Sequence, residues 1–292
     1  MNTSNTNPSI NLEDLEIYKS YLASPYLSIK HSSYFQVYEE LLSKYRGKPI
    51  TFIEVGVLNG GSLFMWRHFF GAQARIIGID LNPEAKKWEK EGFEIFIGSQ
   101  NDPQFWKEFF AAVGKVDVLL DDGGHTNEQQ IVTTHYAVPN INDGGMLIVE
   151  DVHTSYMRAF GNPSQYSFTG YVAKIIDGIH SRFPAIPRSA NPLINSIFAV
   201  SSYESIVAFK IDRRKCFTSS ITSNNGISSA AEDFRHQDSA MGIVFKLQQL
   251  LTNRLAFLNQ FPPLRTAAKG AYNSIYAAHA KFKTLNLKKY FY

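Results

Sequence analysis

The chain has 292 residues, 44% hydrophobic and 19% charged, with a net charge of +3; this is a globular profile with enough apolar material for a large core. No basic stretch leads into an apolar run at the N-terminus, and nowhere do about 18 apolar residues follow one another, so neither a secretory leader nor a membrane helix is expected. Cys216 is the single cysteine, which excludes an internal disulfide and a cysteine-rich zinc site, fits a reducing cytoplasmic compartment, and leaves oxygen and histidine as metal ligands.

In chain order, residues 11–45 read as one or two helices able to cover a cofactor or a sheet edge. From residue 49 onward, short β-rich apolar runs alternate with helical patterns, the signature of a parallel sheet covered on both faces. The predicted strands are ITFIEVG, ARIIGID, FEIFIG, VDVLLDD and GMLIVED, each ending in glycine or an acid. Helix starts are marked by Asn82-Pro83 and Asp102-Pro103, a side-chain cap before proline, and by Thr126 with Gln129, a capping box. A connection rich in aromatics, HTSYMRAFGNPSQYSF, precedes a predicted helix over 169–182, and INSIFAV and SIVAFKID then read as an antiparallel hairpin around SSYE. Five parallel strands, a helix and a hairpin are the order of a Rossmann-like class I methyltransferase: a doubly wound, mostly parallel seven-stranded sheet with an antiparallel final hairpin.

The tail differs in charge. No acid follows Asp238, while residues 241–292 carry eight of the 29 basic side chains. Val244, Leu247, Leu251, Leu255 and Leu258 recur at helical spacing, and a second helical pattern runs through Tyr272, Ile275, Tyr276 and His279 after two prolines. Packing on the chain's own core or on a sister subunit of a homo-oligomer is expected ahead of a membrane surface or an anionic partner. The expected organisation is an N-terminal helical cover (1–47), a cofactor-binding α/β domain (48–215) and a basic helical extension (216–292).

Ligands of open doubly wound sheets bind beyond the carboxyl ends of the strands. The first strand runs into EVGVLNGGS and a helix; the spacing is not that of a dinucleotide fingerprint, and a tight turn is the plainer reading of its glycines. Asp80 ends the second strand, where a carboxylate can accept both hydroxyls of a ribose. The third strand ends in the polar Ser99-Gln100-Asn101-Asp102, of which Asp102 is first a helix cap. Together these endings suit an adenosine-containing ligand, S-adenosylmethionine (SAM) ahead of NAD because no phosphate needs a cradle.

The fourth strand stops in Asp121-Asp122-Gly123-Gly124-His125, and the fifth ends in Glu150-Asp151 at the same level. Asp122, Glu150 and Asp151 can converge as three hard oxygen ligands of the kind that suit Mg²⁺; capping of helices or pairing with lysine and arginine is the competing role. His125 lies where it could face a substrate and serve as base. His153, after the acid pair, stands behind it in this expectation, and His135 reads as structural.

FIEVGVLNGGSLFMWRHFFG, IIGIDLNP, GSQNDPQFW, VDVLLDDGGH and GGMLIVEDVHTSY resemble the SAM- and Mg²⁺-dependent sugar O-methyltransferases of macrolide tailoring, the mycinamicin and macrocin type. The related cephem methyltransferases, some described as cephalosporin hydroxylases, are similar too. The resemblance spans residues from about 30 to 215 and implies metal binding by Asp122, Glu150 and Asp151 and a base at His125. It implies cofactor contacts from Glu54, Gly56, Ser62, Asp80, Gln100 and Asp121. Ser99 departs from the family's usual Asp, and Met157 from its usual Trp. The loop 154–168 is then a candidate lid, with Tyr156 a wall for substrate or cofactor. The implied activity is methyl transfer to a hydroxyl of a sugar or glycosylated metabolite, with no nucleic-acid partner. A metal-dependent hydrolase or hydroxylase and a non-catalytic scaffold are the alternatives.

Overall fold

A computed structural model describes residues 11–161, 165–229 and 262–290, with isolated positions at 242, 246 and 249. The chain divides into two compact units, residues 1–221 and 222–292. Within the first, strands β1 (Thr51–Val55), β2 (Arg75–Asp80), β3 (Glu94–Ile97), β4 (Val116–Asp121), β5 (Ile141–Val149), β6 (Ile197–Ser202) and β7 (Val207–Ile211) form one sheet of order β3-β2-β1-β4-β5-β7-β6. The first five are parallel; β7 pairs antiparallel with both β5 and β6.

Alternation along the strands assigns each side chain to a face. Phe52, Ile76, Val118, Leu120, Met146 and Ile148 join one buried cluster; Ile53, Ile77, Leu119, Leu147 and Val149 join the other. Helices α1 (Glu16–Leu22), α2 (Tyr34–Leu42) and α3 (Gly61–Phe70) cover the first face, where Ile17, Tyr38 and Leu42 are buried with Trp66 and Phe70. Helices α4 (Pro103–Val113), α5 (Asn127–Ala137) and α6 (Phe168–His180) cover the second. The N-terminal segment is thus a layer of the core, and each of these large apolar side chains contributes about 1.5–3 kcal/mol by its burial.

The helix starts follow the predicted chemistry. Asp102 accepts from the Gln104 amide at 2.8 Å ahead of Pro103, and Thr126 and Gln129 form the reciprocal capping box of α5. Three differences stand out. Residues Pro83–Glu91 wind as 3₁₀ turns between the Asn82 cap and Gly92 in the left-handed region, and Trp88 is buried beneath them. Strand β5 begins at Ile141, four residues before the predicted run, because its start pairs with Val116 ahead of a register shift. The connection after β5 carries short 3₁₀ turns, Val152–Tyr156 and Arg158–Phe160, where no element was predicted.

In the second unit a helix spans Pro262–Leu287 and ends in a turn, Lys288–Tyr290. The pattern Val244 to Leu258 lies outside the described residues except at scattered positions. Among the described residues, no helix is long and apolar enough to cross a membrane.

Candidate active site

Beyond the carboxyl ends of β1, β2, β3 and β4 lies a cavity of about 450 Å³, lined by residues 55–59, 61 and 62 of the glycine loop, Asp80, Gly98 to Gln100, Asp122 to His125 and Asp151. Its fourth wall is Leu27, Ser28, Ile29 and Lys30, from the segment between α1 and α2. The size suits a small organic ligand.

The glycine loop is built around one close approach. Gly56 has φ +90°, and a Cβ there would stand 2.1 Å from the Asp122 carbonyl oxygen, so no other residue fits without moving β4. Asp80 holds the loop from the other side: one oxygen accepts from the amides of Val57 and Leu58 at 2.8 and 3.0 Å, the other from Asn82 at 2.8 Å. Gly60 precedes α3 in the left-handed region and offers no side-chain cap to its first amides, and Gly61 and Ser62 at the start of α3 line the cavity.

Glu54 sits apart from the cavity lining. It is fully buried, and its two oxygens accept from Ser62 Oγ at 2.7 Å and Trp66 Nε1 at 3.0 Å, pinning α3 to β1. Burial pushes its carboxyl up to about 7 despite the opposing Lys30 charge and these two donors. A carboxyl raised on folding stabilises the fold when protonated, so its contribution should be lost as pH rises from the unfolded value near 4.5 through about 7. Glu54→Gln should therefore flatten this part of the profile. Denaturant titrations of both proteins across that window should differ by up to ~3 kcal/mol; parallel profiles would refute a raised Glu54.

Gln100 locks the loop after β4. Its Nε2 donates to Asp121 Oδ1 at 2.9 Å and Thr133 Oγ1 at 3.1 Å, and its Oε1 accepts from the Gly124 amide at 2.8 Å. Asp121 Oδ1 also accepts from the Gly123 amide, while its Oδ2 is buried without a partner among the described residues. Asp121 is therefore spent on shaping D-D-G-G-H, while Gln100, Asp122 and His125 line the cavity.

His125 is held at φ 57°, and its carbonyl accepts from Thr154 Oγ1 at 2.7 Å. Its Nε2 lies 3.4 Å from Asp151 Oδ2 and 3.9 Å from Asp122 Oδ1. These three side chains offer ligand atoms within 4.8 Å of one another. Asp151, itself at φ 54°, is turned toward His125 by that backbone.

Glu150 is brought to the same cluster from deeper in the fold. It is 1% exposed, against 22% for Asp122 and 20% for Asp151. Both of its oxygens are engaged, by Tyr38 Oη and by Lys30 Nζ at 3.0 Å. Lys30 also bonds Asp122, and Tyr34 donates to Asp151 while contacting Ser205 Oγ at 2.8 Å. Burial alone would press the Lys30 ammonium toward neutrality, but Asp122 and Glu150 outweigh it and hold the group well above the ordinary lysine range. Burial and the neighbouring Asp122 push Glu150 upward, with Lys30 and Tyr38 opposing.

Lys30, Tyr34 and Tyr38 were not anticipated from the sequence. Their spacing, K-x₃-Y-x₃-Y at the entry to α2, is the signal that could have found them: three donors one turn apart facing three acids. His153 lies at the margin, its Nδ1 near Ser205 Oγ and 3.9 Å from Asp151 Oδ1. Tyr156 is 69% exposed, and neither residue lines the cavity.

A doubly wound sheet of this strand order, closed by an antiparallel hairpin and opening a cavity at its carboxyl edge, is the fold of the class I methyltransferases. Its sequence relatives sharpen this: the chain is 31% identical over 179 residues to demethylmacrocin O-methyltransferase of Streptomyces fradiae, a match covering 56% of this chain and 45% of that protein. It is 30% identical over 185 residues to mycinamicin VI 2''-O-methyltransferase of Micromonospora griseorubida, covering 58% and 45%. It is 28% identical over 171 residues to a rhamnosyl tetracenomycin-C 2'-O-methyltransferase of Streptomyces olivaceus, covering 53% and 45%. The matched part is thus under half the length of each of these relatives. No protein-family model matches the chain. Among solved structures, the MycE methyltransferase of the mycinamycin pathway, in complex with Mg and S-adenosylhomocysteine, is similar with a TM-score of 0.61 and 24% identity, over 80% of this chain and 58% of that one. The same enzyme bound to Mg, S-adenosylhomocysteine and mycinamycin VI gives a TM-score of 0.60 at 24% identity, over 75% and 57%.

Proposed function

We propose that this protein is a SAM-dependent, Mg²⁺-assisted O-methyltransferase acting on a hydroxyl of a sugar or glycosylated metabolite. One observation carries the reading: the glycine loop with Asp80 and Gln100, and the cluster Asp122, His125 and Asp151, open into the same cavity. The first group suits an adenosine, the second a hard cation and a base. The sugar O-methyltransferases that match in sequence support the acceptor class.

The donor set fits a hard divalent ion. Asp122 and Asp151 supply carboxylate oxygens at the cavity, with His125 beside them and Glu150 behind. When bound, the sulfonium cofactor supplies an electrophilic methyl group, and the divalent ion supplies positive charge that makes an acceptor hydroxyl more acidic.

The chain's own part is alignment and proton transfer. The loop 56–62 and Asp80 would hold the cofactor's adenosine end, with Asp122 and His125 lining the same cavity. His125 would accept the acceptor hydroxyl's proton at Nε2, the methyl group itself being supplied by the bound cofactor. Asp151, 3.4 Å from that nitrogen, then stabilises the imidazolium. The contact of Asp80 with two loop amides makes it a support of the site as well as a ribose partner.

Isothermal calorimetry with SAM, followed by labelled-methyl transfer to a panel of saccharides and glycosides, tests the reading. Asp80→Ala should weaken SAM binding by about tenfold or more, about 1.4 kcal/mol on the affinity scale. Unchanged affinity would remove Asp80 from the ribose role. Binding of metal without any SAM binding would favour a hydrolase, and binding of neither a scaffold. A cytoplasmic location and a homo-oligomer go with this reading, the second resting on the tail's apolar spacing. Removal of residues 241–292 should change the number of subunits seen in light scattering; an unchanged subunit number with lost binding to anionic vesicles would assign the tail to a membrane surface instead.

A further inference from the structure

We propose that Lys30 is the resident cation of the acid cluster, seated between Asp122 and Glu150, and that it and a divalent ion exclude one another there. The proposal rests on the metal reading above and adds to it what the chain does when no ion is bound.

The Lys30 side chain is 3% exposed, and its ammonium bonds one oxygen of each acid, Asp122 Oδ2 and Glu150 Oε2. The remaining Glu150 oxygen is taken by Tyr38, whose ring also lies 5.9 Å from Lys30 Nζ. A buried carboxylate next to a second carboxylate is costly without a cation. Lys30 is the lysine or arginine that meets both acids among the described residues. A divalent ion that engages Glu150 meets oxygens already held by Lys30 and Tyr38, and one that engages the other oxygen of Asp122 stands beside the Lys30 ammonium on the same carboxylate, where the two cations repel.

Exchange is mechanically simple because Lys30 stands at the end of a short arm. Ser24 Oγ donates to the Gly61 carbonyl at 2.8 Å, Tyr21 Oη donates to the Ser28 carbonyl at 3.0 Å, and Tyr26 packs against Trp88 with ring centroids 4.5 Å apart. Past these anchors, Ile29 and Lys30 lead into α2, whose Tyr34 and Tyr38 stay on Asp151 and Glu150. Release of the lysine therefore moves a side chain in the wall of the cofactor cavity while the acids keep their tyrosine partners.

Mn²⁺ is the probe, its uptake by the full chain followed from the free-ion signal in electron paramagnetic resonance. Lys30→Met should bind Mn²⁺ at least about tenfold more tightly than wild type, since its competitor is gone, and Lys30→Arg should stay near wild type. Loss of mere structural support would shift the affinity the other way. Acylation of lysines read by mass spectrometry supplies a second measure that needs no variant: Lys30 should be protected in the ion-free protein and modified faster at saturating Mn²⁺. Should Lys30→Met fail to fold, this labelling decides alone. The exchange is overturned if wild type binds Mn²⁺ and Lys30→Met binds it no more tightly, or if Lys30 stays equally protected with the ion bound. If neither protein takes up Mn²⁺ while SAM still binds, the metal reading falls and the exchange with it.

Discussion

Asp122→Asn should lose divalent-ion affinity and nearly all turnover, by about 10²-fold or more, while SAM affinity stays within about twofold because the cofactor residues stand on other strands. The reason is positional. Asp122 faces two basic side chains of the site: one oxygen bonds Lys30 and the other points toward His125. Its amide, meanwhile, donates to the Val55 carbonyl at 3.0 Å and its carbonyl packs on Gly56. These backbone contacts survive the substitution, so the glycine loop should keep its shape. Asparagine keeps the volume but removes the charge, leaving Glu150 as the carboxylate bonded to Lys30 among the described residues. Calorimetry with Mg²⁺ and with SAM on the same preparation separates the two sites; normal Mg²⁺ binding by the variant would show that the acid cluster is not the metal centre.

His125→Ala should behave differently. The side chain contributes a proton acceptor at the cavity, and its carbonyl contact with Thr154 belongs to the backbone and remains. Metal and SAM affinities should therefore stay near wild type while the single-turnover rate falls by roughly 10² to 10⁴, the usual contribution of a positioned base. Imidazole added to the alanine variant should restore part of the lost rate, since the space vacated opens on the cavity. A near-normal single-turnover rate would return His125 to a structural role in its loop. The base would then be sought at His153, whose ring lies 3.9 Å from the far oxygen of Asp151.

Much of this arrangement is legible in the residues themselves. Strand ends at Gly56, Asp80, Gln100 and Asp122 are local features: an apolar run of alternating burial stops at a polar residue or a glycine, and a capped helix begins. In the folded sheet the period-two alternation of the first run sends Phe52 and Ile53 to opposite faces. The right-handed crossover of parallel strands then brings those ends to one edge. That is why the cavity-lining acids could be named from the chain alone.

Local pattern cannot say which face of a shared site a residue serves. Glu54, expected among the cofactor contacts, spends both oxygens on Ser62 and Trp66 inside the core, and Asp121 spends one of its own on Gln100 and Gly123. Each has a neighbour that does line the cavity, and a shift of one position along a strand or its end turns a side chain from ligand to core. Sequence position made Glu150 and Asp151 look alike; burial separates them, the first enclosed beneath Tyr38 and Lys30, the second turned to His125 by a left-handed backbone.

The partners of the acids were beyond the reach of any window of sequence. Lys30 meets Asp122 across 92 residues, Tyr38 meets Glu150 across 112 and Tyr34 meets Asp151 across 117. The residues by themselves determined the order of strands, the caps and the concentration of carboxylates at one edge, because these follow from propensity and period over a few positions. Only the tertiary structure decided what balances those carboxylates. Ion pairing depends on distance in space, and the packing of α2 on the sheet, driven by burial of Tyr38, Leu41 and Leu42, is what sets that distance.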